Sequence, residues 1–448
     1  MVRIRHVALA AALLPASAMA GEPKLPAPVT AQDYRPVNLD EAKLGQLLFY
    51  DPVISGNRNI ACDTCHNPRL ATSDGVSLDI GEGGIGLGPD RHPGKTDIPQ
   101  QRIARNAPAL FNLGAKSFTI MFDDGRIEED HTRPSGLRTP MEDAMVKGFA
   151  SVLSAQAMFP VLAQDEMAGN DSENDIAKLV RKGQITGPGG AWEAIAARVS
   201  AIPAYREMFA KVYPSIAQGK QIAFTDISNA IAAFVSYEWR SDDSPFDKYL
   251  RHQGTLPAEA MAGMKLFYGR AECSTCHSGP FQTDNKFHAM GEPQLGPGKT
   301  PRFELNQRDI GRFRVSNNPA DLYAFRTPSL RNVTETGPWG HAGAHVDLKE
   351  FIRYHADPVA GAKTYKPQAI FPKGYVAEKP DWEIWNDPAE RKAILAQVKA
   401  KPVKLSDADV NAIYAFLQTL KDPVALDGRL GVPASVPSRL PVDTPVKY

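Results

Sequence analysis

Two five-residue runs, Cys62-Asp63-Thr64-Cys65-His66 and Cys273-Ser274-Thr275-Cys276-His277, use all four cysteines of the chain. A Cys-x-x-Cys-His run places two thiols at i and i+3 and an imidazole directly after them. This is the attachment pattern of c-type haem, in which the thiols meet the two vinyl groups and the imidazole faces the iron. No cysteine remains for a disulfide. The rival reading is a pair of zinc knuckles, yet no further Cys or clustered His completes a tetrahedral set. The expectation is two covalently bound c-type haems on Cys62, Cys65, Cys273 and Cys276, with His66 and His277 as proximal ligands.

A chain of 448 residues has room for two to three domains. Its 43% hydrophobic and 23% charged residues are those of an ordinary globular protein. The 51 basic and 51 acidic side chains cancel, so nothing points to nucleic acid or a membrane surface. The first twenty residues read as a signal peptide. Arg3 and Arg5 precede a short apolar run at 7–14, and Ala18-Met19-Ala20 has the small-x-small form of a cleavage site. The run is too short to span a bilayer, and no other stretch is long and apolar enough. Export to the periplasm agrees with haem attachment, which in bacteria takes place outside the cytoplasm.

The stretch before each motif repeats. Residues 38–50 and 256–269 both read as helices, and both carry Leu-Phe-Tyr, at 48–50 and 266–268. Arg105-Asn106-Ala107-Pro108-Ala109-Leu110 follows the first motif and Arg326-Thr327-Pro328-Ser329-Leu330 the second. Next come Phe122-Asp123-Asp124-Gly125 and Trp339-Gly340-His341-Ala342-Gly343. Two diverged copies of one haem-binding unit account for this pattern. The predicted fold is mainly α, with two cytochrome c-like domains over 21–243 and 244–448 and long Gly/Pro-rich loops. Helical spacing also marks 150–167, 191–212 and 222–241, where Ile227, Ala230, Ile231, Phe234 and Val235 form one buried face. The Pro-rich tail from Pro423 is expected to wrap the surface. The Gly-rich run at 81–86 opens no helix, and Gly298-Lys299-Thr300 lacks the first Gly of a phosphate loop, so both read as plain loops.

Over roughly residues 38–125, 150–170 and 245–360 the chain resembles the bacterial dihaem cytochrome c peroxidase and MauG superfamily. In that family the haem of the first motif reacts with peroxide, and the second is a six-coordinate electron-transfer site. The family pattern Gln-Ala-x-x-Pro, with Glu-Met ten residues after the Gln, matches Gln156-Ala157-Met158-Phe159-Pro160 and Glu166-Met167. The resemblance thus implies Glu166 as the acid–base carboxylate, with Gln156 and Pro160 in the distal pocket. Peroxide cleavage needs a proton moved between its oxygens, which a positioned carboxylate can do.

The resemblance also carries departures. Reductively activated members place a distal His in a Gly-His-Gly loop sixteen residues past the proximal His. Here the loop is Gly81-Glu82-Gly83, which implies an open, five-coordinate iron; His92 lies further along. Where the family often has Trp before Asp-Gly-Arg, this chain has Asp123 beside Phe122, which weakens charge sharing between the haems. Residues 127–149 look like an insertion, in which His131 has no assigned role. The second distal ligand falls at His355, on a helix face shared with Leu348, Phe351 and Ile352, with Tyr354 as the rival one residue away. Calcium between the haems is implied through Asn106, Thr336 and Pro338, a set of oxygen ligands suited to a hard cation.

The function expected from the resemblance is a periplasmic dihaem peroxidase. It would reduce hydrogen peroxide with electrons from a small c-type cytochrome or other redox protein. A MauG-like oxidase acting on a residue of a partner protein is the alternative. A non-catalytic dihaem electron carrier is the third reading.

Overall fold

The computed structural model describes residues 24–299 and 307–443, so the signal-peptide expectation and Thr300 lie outside the described residues. The described chain is mainly helical, as expected. Its strands are two or three residues long and form two small pairs and one three-stranded antiparallel sheet.

Two helix crossings organise the two halves. Helix Leu39–Phe49 starts at Asn38, whose side chain accepts from the backbone N–H of Asp40 and Glu41. It buries Leu44, Gly45, Leu48 and Phe49 against helix Phe224–Glu238. The backbones touch at the crossing: a Cβ on Gly45 would stand 1.7 Å from the Ala230 carbonyl oxygen. In the second half, helix Ala258–Phe267 crosses helix Asp407–Gln418 in the same way, and a Cβ on Gly263 would stand 1.8 Å from the Ala412 carbonyl oxygen. Matching aromatic residues seal both crossings. Phe49 and Tyr50 pack on Phe234, at 5.3 and 6.0 Å between ring centroids; Phe267 and Tyr268 pack on Phe416, at 5.2 and 5.8 Å. Each buried Phe contributes about 1.5–3 kcal/mol of apolar transfer. Both first helices then run into their cysteine motif.

The helical spacing at 150–167 does not give one helix. Helix Val152–Gln156 stops, Pro160 opens a tight turn to Leu162, and a wide π-type turn covers Gln164–Ala168. Proline has no N–H to give and its ring clashes with the preceding turn, so Pro160 prevents a continuous helix. The 191–212 stretch splits into Ala191–Ser200 and Pro203–Val212, with Pro203 at the first position of the second helix. Part of the 127–149 stretch is sheet: Ile127–Glu129 pairs with Ile120–Met121 on one side and Leu137–Arg138 on the other. His131 is exposed in the turn between the last two strands.

The tail returns to the first half. Gln46 donates to the carbonyls of Leu430 and Gly431, Ser438 donates to Asp51, and Thr64 donates to Asp443. Val436 is buried in the first half's core.

Candidate functional site

The first motif forms one helical turn, Cys62–Cys65, closed by the His66 N–H on the Cys62 carbonyl at 2.9 Å. The ring Nδ1 of His66 lies 3.0 Å from the Thr72 carbonyl. That carbonyl takes the Nδ1 proton, which leaves Nε2 as the lone-pair nitrogen for a metal. The second motif repeats the device with His277 Nδ1 3.1 Å from the Gln282 carbonyl. The carbonyl of a downstream proline, Pro108 or Pro328, also lies close enough to each ring to favour its protonated form. A neighbouring hydroxyl staples each loop to the same downstream segment: Ser73 donates to Ala107 and Thr283 to Thr327. Burial pushes both imidazoles below their ordinary value, His277 to about 4 with His355 adding to the effect. Neutral imidazole is the form that ligates iron.

All four thiols are unpaired. Burial pushes Cys62 and Cys273 up to about 12 and Cys65 well above its ordinary value, whereas a hydrogen bond with His288 draws Cys276 down. Among the described residues two sets of His, Cys, Asp or Glu could hold an ion: Cys276 with Asp284 and His288, and Glu82 with Asp97 and Glu173. Neither brings two thiols together, so neither motif is a zinc knuckle. Undisulfided thiol pairs beside imidazoles with a free Nε2 fit c-type haem. A surface cleft of about 700 Å³ between Tyr34, Arg240 and Arg429 is lined by none of these residues.

Around the first motif, Glu166 sits in the Gln164–Ala168 turn, close enough to act electrostatically on the Cys65 thiol. Its Oε1 is 3.9 Å from Lys299 Nζ. Gln156 ends its helix and Pro160 opens the following turn, both partly buried. The Gly81–Gly83 loop lies flat on this region. The Glu82 N–H donates to the Glu166 carbonyl at 3.0 Å, and a Cβ on Gly81 would stand 2.1 Å from the Asp165 carbonyl oxygen. The Glu82 carboxylate accepts from Asn57 and Asn59, at 2.8 and 2.7 Å, and is 3% exposed. The Arg91 guanidinium fastens the loop further through the carbonyls of Ile80, Gly81 and Gly86. His92 is exposed on the short strand paired with Gly84–Ile85.

Around the second motif, helix Leu348–Ala356 is capped by Asp347 and carries His355 towards His277. The Phe351 carbonyl, one turn back, lies close enough to the His355 ring to favour its protonated form, although burial outweighs it and lowers the proton affinity of the ring. Tyr354 is 4% exposed and its hydroxyl donates to the Gly291 carbonyl, so that oxygen is already committed. Sequence reasoning missed His345. It stacks on Phe351 at 4.2 Å, and its Nε2 is buried without a hydrogen-bond partner. Burial pushes His345 down to about 3.

Charged groups join the two halves. Arg105 grips Asp309 through two bonds of 2.7 and 2.9 Å and Asp124 at 3.0 Å; Arg126 closes on the same Asp124. The Asp123 carbonyl accepts the Arg326 N–H, and the Phe325 ring stacks on His341 at 3.9 Å. Asn106 gives its side-chain N–H to Val76 and its backbone N–H to His341, just upstream of Gly343. Thr336 and Pro338 flank a cis Gly337–Pro338 bond.

A family profile described as di-haem cytochrome c peroxidase matches residues 40–255. The methylamine utilization protein MauG of Methylorubrum extorquens is 26% identical over 393 residues, covering 87% of this chain and 81% of that protein. The cytochrome c551 peroxidase of Pseudomonas aeruginosa is 27% identical over 329 residues, covering 73% and 75%. Among solved structures, a MauG-like protein associated with microbial copper homeostasis aligns with TM-score 0.56 at 24% identity, over 90% of this chain and 94% of that one. The diheme peroxidase BthA of Burkholderia thailandensis aligns with TM-score 0.54 at 19% identity, over 88% of each. These two structures speak for the fold. With both haem-attachment motifs in place, these matches support the dihaem cytochrome c peroxidase and MauG superfamily of haem oxidoreductases as the family of this chain.

Proposed function

We propose that this protein is a periplasmic dihaem peroxidase that reduces hydrogen peroxide at the first motif. Electrons are relayed through the second motif from a small c-type cytochrome or similar redox protein. The observation that carries this reading is the joint placement of Glu166 and Glu82. The acid–base carboxylate lies beside the first motif, while the residue in the place of a distal His turns its carboxylate to Asn57 and Asn59. Nothing on that loop is then available to close the iron. Bound at the two motifs, the haems supply peroxide-reactive iron and a path for electrons. Glu166 accepts a peroxide proton and returns it to the departing oxygen. His66 and His277 would hold the two haem irons, and His355 would be a further protein ligand to the second. Two imidazoles favour ferric iron and hold its potential low.

In this reading the chain is two cytochrome c-like units, 21–243 and 244–448, descended from one. The matched Gly45 and Gly263 crossings and the matched carbonyl partners of His66 and His277 support that. Asn106, Thr336 and Pro338 would hold calcium, with the Asn106 oxygen as donor because its N–H is spent on Val76.

The test is turnover. Reduced cytochrome c and peroxide should give steady donor oxidation, and Glu166→Gln should slow the peroxide reaction by about 10²–10⁴ with both haems retained. The MauG-like alternative draws on relatives of that name, while Asp123 standing where a bridging Trp would counts against it. It gains the case if no small donor is oxidised but a co-expressed partner protein gains mass only with peroxide.

A further inference from the structure

We propose that Lys299 is a positioning residue for the peroxide reaction: its ammonium holds the Glu166 carboxylate and counters negative charge on a peroxide oxygen beside it. This rests on the reading of Glu166 given above.

Lys299 belongs to the second half and reaches the first half on an anchored loop. Gln294 clasps both backbone groups of Asp309: it accepts the Asp309 N–H at 2.8 Å and donates to the Asp309 carbonyl at 3.1 Å. Asp309 is itself gripped by Arg105 of the first half. Between these points the Gly296 N–H donates to the Asp381 carbonyl at 2.7 Å. The stretch 294–299 so held ends with Lys299 Nζ 3.9 Å from Glu166 Oε1.

A surface lysine normally runs its charge out to water. This one sits where burial pushes its proton affinity down and where Arg126 and Arg105 push the same way; Glu166 and Asp124 oppose them. The pair is 37% and 27% exposed, so it adds little to stability. Its placement 3.9 Å from the Glu166 carboxylate is therefore better explained by what it does to Glu166. When peroxide gives a proton to the Glu166 carboxylate, the products are a neutral carboxyl group and hydroperoxide anion. The oxygen–oxygen bond is intact in this step. One negative charge has moved from Glu166 to the peroxide, and Lys299 faces it in both positions.

The experiment uses the oxidised holoenzyme and three variants, Lys299→Gln, Lys299→Arg and Glu166→Gln. Fluoride affinity is read from the optical spectrum, the peroxide rate by stopped flow and the fold by urea titration. Lys299→Gln should weaken fluoride binding and slow the peroxide reaction, each by about tenfold, the size of one charge acting over several ångströms in a partly wet pocket. Lys299→Arg should recover most of both, and the urea midpoint should stay at the parent value. The inference is overturned if Lys299→Gln keeps both quantities within twofold of the parent while Glu166→Gln is slow; the reading of Glu166 then stands alone. A loss that Arg does not recover, or one that tracks a lowered urea midpoint, also overturns it. Parent-like rates in Glu166→Gln, or no fluoride binding by the parent, overturn the inference together with the reading beneath it.

Discussion

The backbone N–H of Glu82 donates to the carbonyl of Glu166 at 3.0 Å, which joins the loop sixteen residues past His66 to the turn carrying the acid–base candidate. Gly81 permits this contact, because any side chain there would strike the Asp165 carbonyl. Gly81→Ala should push the Glu166 turn away. We expect a peroxide rate at least tenfold lower and a loss of about 1–3 kcal/mol in stability, typical of overpacking. Stopped flow and urea titration check this. A parent-like rate would mean that the position of the turn is not critical.

Gly45→Ala and Gly263→Ala should act alike, since each puts a methyl into a facing carbonyl at 1.7 and 1.8 Å. Both should lower the unfolding free energy by at least about 2 kcal/mol, or prevent accumulation of holoprotein. If one is costly and the other neutral, the two crossings are not equivalent and the duplication loses its main support.

Acid should weaken the folded state in a defined window. Burial pushes the Glu292 carboxyl up, but His341 outweighs it and holds it at about 2; Arg105 and Arg126 likewise outweigh burial and hold Asp124 at about 2. Both folded values lie below the unfolded range of about 4. Their contribution is therefore complete above about pH 5 and is lost as pH falls towards 2. The urea midpoint should fall steeply from about pH 5 to about pH 3. A flat profile there would contradict this assignment.

His355 and Tyr354 are told apart by substitution. His355→Ala should open the second iron and raise its potential, because an imidazole that favours ferric iron is lost. Tyr354→Phe should leave the spectrum unchanged and cost only the bond to Gly291. Spectroelectrochemistry of both variants decides; a high-spin second haem in Tyr354→Phe would reverse the order.

The sequence was most informative where chemistry depends on local spacing. The Cys-x-x-Cys-His runs, the helix leading into the first of them and the helix bearing His355 were all readable, because each is set within one or two turns of chain. The break at Pro160 was misjudged because apolar spacing continues through it. Long-range partners were beyond reach. Asn57 and Asn59 for Glu82, Lys299 for Glu166, and the crossing of Ala258–Phe267 with Asp407–Gln418 join segments 23 to 149 residues apart. His345 was missed because it carries no spacing signal of its own; only burial without a partner marks it.

Electron paramagnetic resonance of the fully oxidised holoprotein tests the central claim most directly. With Glu82 turned to Asn57 and Asn59, and His355 close enough to act electrostatically on His277, the account predicts one high-spin and one low-spin ferric haem in equal amounts without prior reduction. Two low-spin haems would contradict it.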